Sequence, residues 1–150
     1  MHALSKQVFS NFKPCRTHSI RAGRVLLLLW AFTAHGATYA EVRYSKEFNS
    51  CADKSGGVTV DLRTCTNAEL QQQDQRLNRA YQKLTQTLQP ASRKKLKAVQ
   101  LAWIQFRDAQ CELEVANAGD GTLGLLVADS CHLEMTTRRA NELEAILKGS

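Results

Sequence analysis

The sequence predicts an all-α protein: a long antiparallel helical hairpin plus a third C-terminal helix, stabilised by disulfides. Three observations carry this reading. Leu70, Leu77, Tyr81, Leu84 and Leu88 recur at helical spacing up to Pro90. Leu96, Val99, Trp103, Phe106 and Cys111 do so again after it. Leu133, Ala140, Leu143 and Leu147 make a third set beyond a glycine-bearing break.

The chain opens on a segment that is not part of that domain. Residues 1–24 hold Lys6, Lys13, Arg16, Arg21 and Arg24 and no acid, an apolar run extends from Val25 to Ala34, and Ala37-Thr38-Tyr39-Ala40 follows. A positive flank, a short apolar core and small residues before a break describe a signal peptide ending at Ala40. About ten apolar residues fall short of the roughly 20 that a spanning helix needs, so no membrane span is expected after leader removal. Residues 41–150 then form a single helical domain in a periplasmic or secreted product.

Leader removal changes both charge and cysteine arithmetic. The whole chain has 20 Lys and Arg against 14 Asp and Glu. Subtracting the five leader cations leaves fifteen against fourteen, so the mature domain is near neutral and gives no basis for nucleic-acid binding. Cys15 leaves with the leader, and the even set Cys51, Cys65, Cys111 and Cys131 remains for an oxidising compartment.

Residues 41–64 read as an irregular lead-in, with Ser55-Gly56-Gly57 as a turn and a short Val58-Thr59-Val60 run. Thr66 and Glu69 have the spacing of a capping box opening the first helix. Pro90 ends it, because the residue before a proline is disfavoured in helical geometry. The second helix runs from about Ser92 to Asn117, where Ala118-Gly119-Asp120-Gly121 breaks it. Asp129 or Ser130 is expected to cap the third.

Antiparallel packing about the turn at Pro90 sets Asp74 opposite Arg107, Leu77 opposite Ile104 and Tyr81 opposite Gln100. An Asp74–Arg107 ion pair at the helix interface follows, with Tyr81 and Trp103 as further scaffold. Trp103, Arg107 and Cys111 share one helical face, which places an aromatic anchor, a cation and a cross-link one turn apart. The same register puts Leu70 rather than Cys65 level with Cys111. That favours Cys51–Cys65 and Cys111–Cys131, with the crossed pairing as the alternative.

No catalytic residue, metal ligand set or cofactor motif emerges. His132 is the one histidine beyond the leader, and its neighbour Cys131 is expected to be oxidised. There is no Cys-x-x-Cys and no phosphate-cradling glycine loop. The carboxylates Glu112 and Glu114 point to different faces of one helix, and the cluster Arg93, Lys94, Lys95 and Lys97 reads as a solvated face. The stretch from Gly119 to Asp129 is expected to be a loop whose leucines cap the open end of the core. Its glycines would allow close approach of a partner, and Asp120 a directed polar contact.

The spacing Asp74-x-x-Leu77-Asn78-x-x-Tyr81-x-x-Leu84 resembles the first helix of the LprI-type lysozyme-inhibitor N-terminal domain family. So does Gln100-x-x-Trp103-x-x-x-Arg107-Asp108-x-x-Cys111, followed by Gly121-Thr122, Cys131, Thr136, Arg139 and Leu143. The resemblance spans residues 51–147. It implies a non-enzymatic binding protein whose partner is lysozyme or another wall-active enzyme. Gly119, Asp120, Gly121, Thr122 and Asp129 are the partner-binding candidates from the glycine-bearing loop, not from the resemblance. A periplasmic immunity or envelope-stress protein that binds another wall-active enzyme or a toxin is the alternative. Glu112, Glu114, Asp120, Asp129 and Glu134 would supply local acidity toward a cationic enzyme.

Overall fold

The computed structural model describes residues 42–119 and 121–149. The expected leader and Asp120 lie outside them. The described residues form four helices and no strand: α1 (Lys46–Lys54), α2 (Thr59–Thr87), α3 (Pro90–Ala118) and α4 (Thr122–Gly149). None is long and apolar enough to cross a membrane.

The long helices run up, down and up. Pro90 occupies the first turn of α3, where its missing N–H costs nothing, and Leu88 closes α2 by donating its N–H to the Leu84 carbonyl. The hydrophobic core joins Leu77, Ala80 and Leu84 of α2 to Ala140 and Leu143 of α4. Tyr81, Leu88, Leu96, Trp103 and Leu147 pack around it. The parallel pair α2–α4 is thus the main interface. The C-terminal helix also packs along α3, whereas α2 and α3 touch each other little.

The antiparallel hairpin, its turn at Pro90 and the third C-terminal helix are as expected, while the facing register between the arms is not. With α4 filling the space between the arms, Asp74 and Arg107 do not pair. Asp74 is exposed and accepts a hydrogen bond from Asn78 Nδ2 at 2.8 Å, one turn along its own helix. Arg107 donates to its neighbour Asp108 at 2.8–2.9 Å and lies 5.2 Å from the Trp103 ring centroid. A buried cation does bridge helices at this level, but it is Arg139 of α4. Its Nε donates to Gln100 Oε1 of α3 at 3.0 Å, and its guanidinium stands 5.9 Å from the same Trp103 ring. Trp103 therefore lies near two cations, an attraction strengthened by partial desolvation.

Both long helices with misjudged starts begin earlier than expected. Thr66 lies inside α2, its hydroxyl donating to the Leu62 carbonyl at 2.8 Å. Glu69 is not a cap but a buried acceptor that takes hydrogen bonds from Ser45 N at 2.9 Å, Ser45 Oγ and Gln73 Nε2. Ser45 Oγ in turn accepts from Phe48 N and opens α1. The lead-in is thus partly helical, and Cys51–Cys65 ties it to α2. Cys111–Cys131 ties α3 to α4, so the bridges follow the favoured pairing.

Candidate functional site

At the end of the bundle where α2 and α4 begin, the chain turns from α3 into α4 and exposes four large apolar side chains, Val58, Val60, Leu123 and Leu125. Gly119 and Gly121 adopt φ of +82° and +99°, a region that L side chains rarely enter. This lets α3 end and α4 start within three residues. Gly124, buried in the first turn of α4, makes the return possible: a Cβ there would lie 2.8 Å from the Gly119 carbonyl oxygen. The Cys111–Cys131 bridge braces both arms of the turn.

The expected long loop is therefore short. Thr122 already opens α4, and Asp129 lies seven residues into it, about 10 Å along the axis from Thr122. Gly119, Gly121 and Thr122 stay together at the turn, while Asp129 faces α2. Its carboxylate accepts from Arg63 Nε at 2.6 Å. The hydrogen bond and charge of Asp129 push the Arg63 pKa further upward, so the guanidinium stays charged. Leu123 and Leu125 do not cap the core; they are exposed, and the half-buried Leu126 and Val127 lie on the inner side instead.

Between the two helix starts runs a groove of about 410 Å³ lined by Thr59, Val60, Arg63, Thr122 and Leu125 among others. Val60 and Leu125 retain 66% and 46% of their surface, and Val58 and Leu123 are exposed nearby in sequence. Four large apolar side chains on a rigid, disulfide-braced end suit a protein-binding surface better than a catalytic one. Sequence reasoning missed Val60 and Arg63. The only available signal was the Val58-Thr59-Val60 run, which gives no hint that it meets α4.

Two acids of the expected patch, Asp129 and Glu134, are paired with cations of the same chain. Glu114 accepts from Gln110, Glu134 pairs with Arg138, and Asp129 is held by Arg63. Glu112 remains exposed on α3. These pairings reduce the long-range attraction of a cationic partner, and apolar burial supplies more of any affinity.

Two other concavities flank this end. A groove of about 650 Å³ runs between α1 and α2 over the Cys51–Cys65 bridge, with Lys46 and Lys54 balanced by Glu47 and Asp61. A cleft of about 430 Å³ brings Asp74, Arg107 and His132 around Thr136. Asp74 and Arg107 thus share a cleft without forming the expected bond. His132 has no thiolate beside it, because Cys131 is bridged to Cys111. Among the described residues no group of histidines, cysteines and acids is arranged to hold a metal ion.

The chain is 27% identical over 104 residues to the uncharacterized protein R02472 of Rhizobium meliloti (strain 1021), covering 61% of this chain and 75% of that protein. No solved structure matches it. The family model described as lysozyme inhibitor LprI matches residues 51–143, from the first bridged cysteine to the last buried leucine. The chain belongs to the lysozyme inhibitor LprI family.

Proposed function

We propose that the protein is an exported, lysozyme-inhibitor-like binding module that acts by occlusion. The end of the bundle formed by the Gly119–Thr122 turn and the Val60–Leu125 groove approaches the cleft of a peptidoglycan-cleaving lysozyme and excludes its substrate. The carrying observation is the exposed apolar rim on a rigid end within a chain of the lysozyme inhibitor LprI family. Leu123, Leu125 and Val60 would supply the buried contact area. The glycines permit close backbone approach, and Asp120 offers an acidic group for the enzyme's polar cleft. Asp129 and Arg63 hold the two helix starts together rather than meeting the enzyme. Export through a cleaved leader ending at Ala40 accords with two disulfides in the domain.

The test is inhibition of a panel of peptidoglycan-cleaving lysozymes by the purified protein. Turnover of at least one enzyme should fall as the protein approaches equimolarity. Leu125→Asp should weaken that inhibition by about 30-fold, the scale of an interface hot spot. Full turnover by every enzyme at large molar excess would remove the reading.

A further inference from the structure

The outer face of α3 carries a pattern that the recognition end does not use. Val99, Ala102, Phe106, Ala109, Leu113 and Ala116 alternate at intervals of three and four residues, the spacing of the a and d positions of a coiled-coil seam. All six are exposed, and the three large ones keep 53%, 59% and 56% of their surface. The inward face of the same helix is built from other residues, including Leu96, Gln100, Trp103 and Cys111. The helix thus has two seams, one of them uncovered among the described residues. Single exposed apolar residues need no explanation, but a continuous stripe about 26 Å long does.

Two features of the stripe identify what fits it. Large residues hold one heptad position and alanine the other. If two copies of α3 lie antiparallel, centred between Arg107 and Asp108, Val99 faces Ala116, Phe106 faces Ala109 and Leu113 faces Ala102. Every large side chain then meets a small one, which allows close, interdigitated packing. The helix is also electrically polar. Arg93, Lys94, Lys95 and Lys97 lie in its first third, and Asp108, Glu112 and Glu114 toward its end. Antiparallel pairing carries the cationic third of each copy toward the partner's acids, with Lys97 about one helical turn beyond the partner's Glu114 and Asp108 level with the partner's Arg107, whereas parallel pairing sets like against like.

We propose that the protein self-associates through this seam as an antiparallel two-fold dimer, a second copy of the chain being the partner that covers α3. The pairing is isologous, so the same stripe serves both copies and the assembly closes at two. It does not rest on the lysozyme reading.

Sedimentation or light scattering of the purified protein from low micromolar to near-millimolar concentration tests it. The mass should rise toward twice that of the monomer. Phe106→Glu, at an exposed position that leaves the core intact, should keep the helical circular dichroism and weaken dimerisation by about 30-fold or more. Orientation is read by cross-linking. A chain with Ala102→Cys mixed with a chain with Leu113→Cys should form a covalent heterodimer, and neither should cross-link to itself. A monomer at every concentration overturns the proposal, as does self-cross-linking by the single variants. Loss of lysozyme binding by Phe106→Glu in a protein that is always monomeric would assign the face to that enzyme and likewise overturn it.

Discussion

Arg63 and Asp129 meet at 2.6 Å between the starts of α2 and α4, joining the two helices beside the groove that Arg63 lines with Val60 and Leu125. The Asp129 side chain is only 14% exposed, so loss of its partner strands a carboxylate that is poorly hydrated. Arg63→Ala should lower the urea midpoint without changing its slope. In an inhibition assay it should cost affinity although Arg63 need not touch the enzyme. Unchanged midpoint and unchanged inhibition together would show that the pair positions nothing.

Gly124 is the residue on which the turn depends most sharply. The atom that an added Cβ would meet at 2.8 Å is a backbone oxygen, that of Gly119, which cannot swing aside as a flexible side chain would. Gly124→Ala should destabilise the fold by about 1–3 kcal/mol, the usual range for overpacking. Thermal unfolding monitored by circular dichroism measures it, and an undiminished melting temperature would contradict the close approach.

Glu69 holds α1 against the bundle through Ser45 and is 1% exposed. Glu69→Ala leaves the Ser45 amide and the Gln73 side chain without their acceptor and should cost about 2 kcal/mol or more. Hydrogen exchange should quicken across residues 45–54, restrained only by the Cys51–Cys65 bridge. Protection unchanged in that segment would mean that the disulfide alone anchors it.

Glu144 gives the fold an acid sensitivity. Arg76 reaches it from α2 with two hydrogen bonds, at 2.7 and 3.0 Å, and these hold its carboxyl below the ordinary value of 4.5. A depressed folded pKa contributes stability above the unfolded value, and that stability is lost as pH falls through the folded one. Both side chains are about one-third exposed, so solvent screening keeps the contribution within roughly 1 kcal/mol. Glu144→Gln should lower the urea midpoint at neutral pH and make its decline on acidification below pH 4.5 shallower. Identical pH profiles for the two proteins would dismiss this role.

The sequence made the long helices legible because their apolar residues keep strict period. Leu77 and Leu84 lie on the buried face of α2, Leu143 on that of α4, and Pro90 marks the reversal. The partner of each face was not legible. Leu84 packs toward Ala140 and Leu143 across a gap of more than fifty residues, and nothing local to either segment encodes that choice. The inner face of α4 is also partly polar, with Thr136, Thr137 and Arg139 buried beside Leu133 and Ala140. This weakens its amphipathic pattern and made α3 look like the natural mate of α2.

Helix starts failed for a related reason. α1 contains no buried residue and forms where Ser45 reaches Glu69 and Cys51 reaches Cys65, both tertiary events. The start of α4 was hidden by its glycines, since Gly124 reads as a breaker until its close approach to Gly119 is seen. Of the candidate recognition residues, the turn glycines were evident from composition alone. Val60 and Leu125 required knowledge that α2 and α4 run in the same direction.

The pairing of the cysteines has a consequence for how the chain matures. Cys51 joins the next cysteine in sequence, Cys65, and Cys111 joins the next after that, Cys131. If the chain is exported as proposed, a polypeptide emerging amino-terminus first into an oxidising compartment can therefore seal each bridge from the two most recently delivered thiols. No correct partner is still waiting to arrive when an earlier pair closes. Oxidation in order of emergence yields the native connectivity directly, with no obligatory reshuffling by an isomerase.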